Sequence, residues 1–257
     1  MSADRLLAAI FDLDGVVTFT ARIHEATWKT LFDDFLRTRA ERSGEPFRSF
    51  SHEDYRKWVD GRPRLDGIRT FLASRGITLP EGTPDDPAGA NTVHGLARRK
   101  NDAFQERVRR EGVEIDEMAV RLIRALKERG TRVGVASSSK NTPLILEVAG
   151  LEDLFEARVD GNERERLGLP GKPAPDTFLE CLRRLGVHEP ARAAVFEDAT
   201  SGVEAGRAGG FGLVVGVDRT GHADALRSHG ADIVISDFRD LTPDRLDALL
   251  ADQDRAA

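Results

Sequence analysis

Short apolar runs alternate with amphipathic helical segments along most of the chain. Five runs of strand length, each bounded by polar or turn residues, lie at residues 6–11, 131–137, 194–198, 211–217 and 232–236. Residues 117–129 carry a regular apolar stripe and are predicted to form a helix. Apolar strands that alternate with helices form parallel sheets covered on both faces. The pattern therefore predicts an α/β fold, a doubly wound parallel sheet with a Rossmann-like core.

The long segment between the first and second predicted strands has a helical pattern instead. Its predicted helices cover residues 22–37, 51–59 and 66–75 and the stretch from Thr92 onward. Residues 79–89 are rich in Pro, Gly and acids and are predicted to be a solvent loop within this segment. We therefore expect a Rossmann-like core made of residues 1–20 and 110–257, and an inserted helical cap domain made of residues 21–109.

Composition and charge narrow the class of protein. Of the 257 residues, 40% are hydrophobic and 32% are charged, as in ordinary soluble proteins. No apolar stretch approaches the roughly 20 residues that span a bilayer, and the first residues lack the apolar core of a secretory signal. We expect a cytoplasmic protein that does not enter a membrane. The net charge of −6 gives no extended basic face, so we expect no nucleic-acid partner.

Two carboxylates follow the first predicted strand directly. Asp12 and Asp14 come after the apolar run at residues 6–11, and Gly15 then allows a sharp turn. Burying a charge is costly unless a cation or hydrogen bonds compensate it, so acids at this position indicate a metal site with a carboxylate free to react. An ordinary strand-to-helix turn, where Asp is common, is the alternative.

Three later segments carry polar groups at similar places. The second strand runs into a polar loop and a helix start, formed by Ser137, Ser138, Ser139, Lys140 and Asn141. Hydroxyl and free N–H groups there could bind an anion, with a simple helix cap as the alternative. Lys172 precedes a helix that begins with proline, and a lone lysine is usually a solvated surface charge. Glu197 and Asp198 form another acidic strand end.

Together these motifs supply the groups that phosphoryl transfer through an aspartyl phosphate requires. Carboxylates hold Mg²⁺, a lysine and a hydroxyl neutralise and orient the phosphate oxygens, and a second carboxylate moves the proton. In this combination the chain resembles the haloacid dehalogenase superfamily of phosphotransferases. The four motifs of that superfamily match in sequence order from Asp12 to Asp198.

The resemblance implies a role for each matched residue. Asp12 attacks phosphorus, and Asp14 is the general acid and base. The implied Mg²⁺ ligands are Asp12, Asp198 and the Asp14 carbonyl, with Glu197 in support. Ser137 and Lys172 bind the transferring phosphate, whose equatorial oxygens gain charge during transfer.

Further strings resemble the β-phosphoglucomutase subgroup, which interconverts β-glucose 1-phosphate and glucose 6-phosphate. They are residues 11–18, Thr20, His24 with Trp28, 99–102, 136–141 and 172–176. By this resemblance, Lys140, Asn141 and Arg64 hold the phosphate that is not being transferred. It also implies substrate-site roles for Thr20, His24, Ser138 and Ser139. The expected partner is a small-molecule sugar phosphate, and we expect a monomer.

Several features leave alternatives open. His24 could instead extend a packing stripe through Trp28. Phe19 stands where the family often has Asp, and Asp60 stands where these mutases tend to carry lysine. Residues 162–171 form a longer connection, in which residues 167–171 could present Lys172 on a mobile loop. The alternative functions are a sugar-phosphate phosphatase, which uses the same core motifs, and a non-catalytic phospho-ligand sensor that retains the fold.

Overall fold

The computed structural model describes residues 5–59 and 62–256. It divides into two compact units: a helical unit, Ala21–Gly112, and a sheet unit made of Met1–Thr20 and Val113–Ala257. The boundary predicted after residue 109 falls inside a helix that continues to Glu111, so the helical unit runs on to Gly112. Asp60, noted above as a departure from the subgroup, lies outside the described residues.

The described part of the helical unit contains four α-helices. They are α1 (Ala21–Ser43), α2 (His52–Trp58), α3 (Arg64–Ser74) and α4 (Val93–Glu111). Their apolar faces meet in an aromatic core, in which the Phe32 ring lies 5.2 Å from Trp28 and 4.2 Å from Phe71. Local signals mark two helix starts: Ser51 forms a capping box with Asp54 at α2, and the Thr92 hydroxyl caps α4.

The described part of the sheet unit contains one parallel sheet of six strands. The strands are β1 (Ala8–Phe11), β2 (Arg132–Ala136), β3 (Ala157–Val159), β4 (Ala193–Glu197), β5 (Leu213–Val217) and β6 (Ile233–Ile235). Their order is β3-β2-β1-β4-β5-β6, and every neighbouring pair is parallel. All residues of β1, β4 and β5 are buried, as a sheet covered on both faces requires. The predicted fold class is confirmed.

Seven helices connect and cover these strands in the described residues. They are α5 (Glu117–Glu128), α6 (Thr142–Ala149), α7 (Gly161–Leu167), α8 (Asp176–Arg184), α9 (Thr200–Ala208), α10 (Ala223–Ser228) and α11 (Pro243–Ala256). Apolar residues of α8, including Phe178 and Leu182, pack in one buried cluster with Val195 of β4. None of the helices described in either unit has the length and apolar content to cross a bilayer.

The strand order brings three distant segments to one edge of the sheet. Strand β1 lies between β2 and β4, and Phe11 at its end pairs with Val135 on one side and Phe196 on the other. The rings of Phe11 and Phe196 stack with centroids 4.2 Å apart. Ligands of doubly wound sheets bind beyond the carboxyl ends of the strands. The polar residues that follow β1, β2 and β4 therefore form the first candidate site.

Candidate active site at the carboxyl ends of the strands

Three carboxylates converge where β1 and β4 end. Asp12 follows β1, Glu197 is the last residue of β4, and Asp198 comes next. Each offers an oxygen within 4.8 Å of the others. Asp12 and Glu197 are buried and Asp198 is partly buried. Oxygen ligands of this kind suit a hard divalent cation.

Lys172 supplies the positive charge of this cluster. Its Nζ donates hydrogen bonds to Asp12 Oδ1 at 2.6 Å and to Glu197 Oε1 at 2.7 Å, and it also contacts the Ala136 carbonyl at 3.2 Å. The side chain is 6% exposed and lies over the ring of Phe178. The solvated-lysine alternative is therefore wrong, because the loop before α8 delivers Lys172 into the interior.

The carboxylates of the cluster carry more negative charge than the Lys172 ammonium neutralises. Burial raises the pKa of Asp12 to about 7; Lys172 opposes the rise, while Glu197 and Asp14 add to it. Burial, followed by the charges of Glu197 and Asp12, raises the pKa of Asp198 well above its usual value. Burial lowers the pKa of Lys172, but the Asp12 and Glu197 carboxylates outweigh it and the net pKa is raised. One ammonium does not compensate the crowded carboxylates, and a divalent cation among their oxygens would fit this imbalance.

Two glycines leave room for the carboxylates. Gly15 has φ +88°, and a Cβ there would lie 1.9 Å from Asp198 Oδ2. A Cβ on Gly202, in the first turn of α9, would lie 1.7 Å from Glu197 Oε1. Any larger residue at either position would displace an acid of the cluster, so glycine is required at both.

Asp14 lies at the start of a tight loop that leads out of the sheet. The loop closes through a hydrogen bond from the Gly15 N–H to the Thr18 carbonyl at 2.7 Å. The buried Thr20 hydroxyl donates to Asp14 Oδ1, which orients the carboxylate. Asp14 itself is only partly buried. The structure thus places Thr20 against the predicted general acid and base.

Polar groups of the loop after β2 form hydrogen bonds with one another. The Ser137 hydroxyl, 2% exposed, accepts from the Ser139 N–H at 3.1 Å, and the Ser139 hydroxyl accepts from the Asn141 N–H at 3.1 Å. Asn141 is buried at the start of α6, but its side chain makes no capping hydrogen bond to that helix. The cap alternative is therefore wrong for the Asn141 side chain, while Ser138 lies exposed on the same loop.

Helix α7 packs directly on this loop. Its N-cap Asp160 accepts from two helix N–H groups, and a Cβ on Gly161 would lie 2.6 Å from the Ser138 carbonyl oxygen. From α7, Glu165 pairs with the Lys140 ammonium at 2.5 Å. The connection before Lys172 begins as this helix, and the segment at residues 167–171, predicted as a mobile loop, lies at and after the helix end.

The two predicted site residues of the helical unit lie near each other. His24 Nδ1 is 2.7 Å from the Nζ of Lys100, and its ring stacks on Phe104 at 4.2 Å. Burial, and then the charges of Lys100 and Arg64, lower the pKa of His24 well below its usual value. The imidazole is therefore neutral, with Nδ1 accepting from Lys100 and the proton on Nε2. Arg64 donates to Asn101 Oδ1 at 2.9 Å, and burial lowers its pKa.

Lys100 is a candidate functional residue that the sequence analysis did not assign. It is 2% exposed and its ammonium lies over the rings of Trp28 and Phe104, at 5.1 and 4.7 Å. A sequence signal existed: Lys100 stands four residues from both Leu96 and Phe104, on the apolar stripe of α4. A lysine on a buried stripe is unusual unless its charge is used.

Comparison with known proteins gives a consistent result. A profile of the haloacid dehalogenase-like hydrolases matches residues 6–210. The chain is 48% identical over 242 residues to a β-phosphoglucomutase of Mycobacterium bovis, covering 93% of this chain and 92% of that protein. It is 34% identical to a β-phosphoglucomutase of Bacillus subtilis, covering 91% of each. The crystal structure of a β-phosphoglucomutase from Clostridium difficile has the same fold, with a TM-score of 0.72 at 23% identity over 96% of this chain and 98% of that one. The chain belongs to the haloacid dehalogenase-like hydrolase family, as its ordered acidic motifs predicted.

Proposed function

We propose that this protein is a Mg²⁺-dependent β-phosphoglucomutase that interconverts β-glucose 1-phosphate and glucose 6-phosphate through an aspartyl phosphate on Asp12. The observation that carries the proposal is the buried cluster in which Lys172 bridges Asp12 and Glu197 beside Asp198. The substrate is inferred from the 48% identity to a β-phosphoglucomutase over most of both chains.

Asp12 is the proposed nucleophile. One of its carboxylate oxygens forms a bond to phosphorus while the bond from phosphorus to the departing oxygen breaks. Lys172 stays protonated, because its pKa is raised, and it neutralises charge on the phosphoryl oxygens during transfer. Ser137 and the neighbouring Ser138 and Ser139 bind the same phosphate through their hydroxyl or N–H groups.

The proposed cofactor is Mg²⁺. Asp12, Asp198 and the Asp14 carbonyl are its proposed ligands, with Glu197 supporting the shell. When bound, the ion neutralises charge on the carboxylates and on the phosphate oxygens. The raised pKa values of Asp12 and Asp198 and the space left by Gly15 support this ligand set.

Asp14 is the proposed general acid and base. It gives a proton to the sugar oxygen that leaves phosphorus, and in the return step it takes the proton of the attacking sugar hydroxyl. The hydrogen bond from Thr20 to Oδ1 orients the Asp14 carboxylate for this proton transfer. Orientation of this kind matters because proton transfer needs a donor and acceptor within hydrogen-bond reach.

A mutase also needs groups for the phosphate that is not being transferred. We assign this role to Lys140, Asn141 and Arg64, and substrate positioning to His24. Cationic side chains are the appropriate groups, because charge-assisted hydrogen bonds to phosphate are about twice as strong as neutral ones. The protein itself is proposed to act as a cytoplasmic monomer with no nucleic-acid or membrane partner.

Hydrolysis of a sugar phosphate is the second candidate function. The family is one of hydrolases, and water could take the phosphoryl group from Asp12 with the same core residues. The two reactions differ only in the acceptor: a sugar hydroxyl in the mutase and water in the phosphatase. A phospho-ligand sensor is less consistent with a site that keeps the acids and the lysine together.

The test is phosphorus NMR of β-glucose 1-phosphate incubated with the protein, Mg²⁺ and a trace of β-glucose 1,6-bisphosphate to load Asp12. A glucose 6-phosphate signal that grows without equal free phosphate supports the mutase. Free phosphate alone identifies a phosphatase, and no turnover across a panel of sugar phosphates favours the sensor. The α-anomer of glucose 1-phosphate and the Asp12→Asn variant are the matched controls, and neither should give product.

A further inference from the structure

An arginine far along the chain holds the loop that follows Asp14. Arg219 comes after β5, and its Nε donates to the Gly15 carbonyl at 2.9 Å while Nη2 donates to the Val16 carbonyl at 3.1 Å. Nη2 also pairs with Asp116 Oδ2 at 2.6 Å. One planar guanidinium therefore ties two consecutive carbonyls of the loop to a buried carboxylate.

The surroundings of Arg219 keep it in this orientation. Its side chain is 16% exposed, and that of Asp116 is 8% exposed. The guanidinium carbon lies 4.8 Å from the ring centre of Phe19 and 5.7 Å from that of Phe238. Phe19 is the residue that departs from the Asp common in the family, and here its ring faces the arginine that holds its own loop.

Asp116 connects Arg219 and the Asp14 loop to the start of helix α5. Its Oδ1 accepts from the Met118 and Ala119 N–H groups and caps α5, so the carboxylate that receives Arg219 is itself fixed. The loop adds two backbone hydrogen bonds to this segment, from the Asp116 N–H to the Val17 carbonyl and from the Phe19 N–H to the Glu114 carbonyl, both 2.9 Å.

We propose that Arg219 is a positioning residue for Asp14, with Phe19 as its stacking partner. The inference rests on the proposed function, because it gives Asp14 a proton-transfer role. The Gly15 carbonyl that Arg219 holds belongs to the residue next to Asp14, and Gly15 also lies against Asp198. A loop released by loss of the arginine would let the Asp14 carboxylate move away from the reacting oxygen.

A general structural role would also explain the contacts, so the test must separate the two. The variants are Arg219→Gln and Arg219→Lys. The matched control is Arg207→Gln: Arg207, in the last turn of α9, likewise donates to a backbone carbonyl, that of Gly230, at 2.8 and 3.1 Å and pairs with a carboxylate, Asp232. Arg207 has no contact with the Asp14 loop among the described residues.

Two phosphate donors report on Asp14. A sugar phosphate has a poor leaving group that needs a proton from the general acid, whereas p-nitrophenyl phosphate has a good leaving group that does not. Arg219→Gln should lower kcat on β-glucose 1-phosphate about tenfold to a hundredfold and change kcat/KM for p-nitrophenyl phosphate, which reports only the transfer to Asp12, less than about threefold. Arg219→Lys should recover part of the loss, because lysine keeps the charge but cannot reach both carbonyls and Asp116 in one plane. Equal losses on the two donors would overturn the proposal.

Amide hydrogen exchange gives a second readout that does not depend on activity. In Arg219→Gln the amides of residues 15–19 should exchange faster, while those of β1 should match the wild type. In the Arg207→Gln control the amides of residues 15–19 should also match the wild type. Phe19→Leu, which keeps the arginine, should shift both readouts in the same direction by about twofold to fivefold. Unchanged exchange at residues 15–19 would overturn the proposal. If the wild type makes no glucose 6-phosphate, the proposed function fails, whereas the exchange result still decides whether Arg219 holds the loop.

Discussion

Replacing Asp12 by asparagine should make the metal-free protein more stable than the wild type at pH 8. The nearly isosteric amide removes a negative charge from a buried site that it shares with Asp198 and Glu197. Burial raises the pKa of this carboxyl, and Lys172 only partly opposes the rise. An ionised Asp12 is therefore less favourable in the folded protein than in water, and the neutral amide avoids this cost.

The size of the effect follows from the pKa. The pKa of Asp12 is about 7 in the folded protein, against an ordinary value of 3.8. Between these values the folded state binds the proton and the unfolded state does not, so stability falls as the pH rises through this window and the loss is complete above pH 7. About two pH units of the window lie above pH 5. At 1.36 kcal/mol per unit, the wild type should lose about 2.5 kcal/mol relative to Asp12→Asn between pH 5 and pH 8.

The assay is urea unfolding in EDTA at several pH values, for the wild type and Asp12→Asn. Asp33→Asn is the matched control: hydrogen bonds from Lys29, the Phe50 N–H and Ser49 outweigh burial and lower the pKa of Asp33. A lowered pKa leaves Asp33 ionised in both the folded and the unfolded state above pH 5. The free energies of unfolding of Asp33→Asn and the wild type should therefore differ by a constant amount across this pH range. Added Mg²⁺ should stabilise the wild type more than Asp12→Asn, because the ion binds only the folded site. If the free energies of unfolding of the wild type and Asp12→Asn change in parallel with pH, the reasoning is refuted.

Three further predictions concern the proposed site. Asp198→Asn should raise the Mg²⁺ concentration for half-maximal activity by at least about tenfold, and an unchanged titration would remove Asp198 from the metal site. Arg64→Ala should reduce sugar-phosphate isomerisation about tenfold to a hundredfold more than hydrolysis of an aryl phosphate, which has no second phosphate to hold, whereas Arg99→Ala should lower neither. Glu165→Gln should release Lys140 and lower the KM for glucose 1,6-bisphosphate at most about fivefold with kcat unchanged, since an exposed ion pair competes only weakly; a higher KM would contradict this.

Local sequence was sufficient for five of the six strands and for the acids at their ends, whereas β3 (Ala157–Val159) was not among the predicted runs. The first strand was predicted at residues 6–11 and is observed at Ala8–Phe11, and the third was predicted at residues 194–198 and is observed at Ala193–Glu197. Strands of this kind are recognisable because burial on both faces requires an unbroken apolar run. Carboxylates directly after such runs must meet at one edge of a parallel sheet, so their order along the chain was enough to identify the family.

In the connection before Lys172, the local sequence signals predicted only part of the structure that the segment adopts. The connection before Lys172 contains Gly168, Pro170 and Gly171, which favour a loop. Its first part is nevertheless helical, because Asp160 caps two N–H groups and Gly161 permits close packing on the loop after β2. The N-cap was visible in the sequence, whereas the packing that requires a glycine beside it was not.

Sequence alone determined most of the elements and the chemical groups, because both depend on neighbouring residues and on the period of burial. Tertiary structure decided which groups meet. Lys172 looks like a surface charge in its own segment, yet it pairs with Asp12 at a separation of 160 residues. In the sequence, Phe19 is only a departure from a motif. In the structure its ring contacts Arg219, which binds the Gly15 carbonyl at a separation of 204 residues. Contacts at such separations depend on how the whole sheet packs, and no local pattern of side chains encodes them.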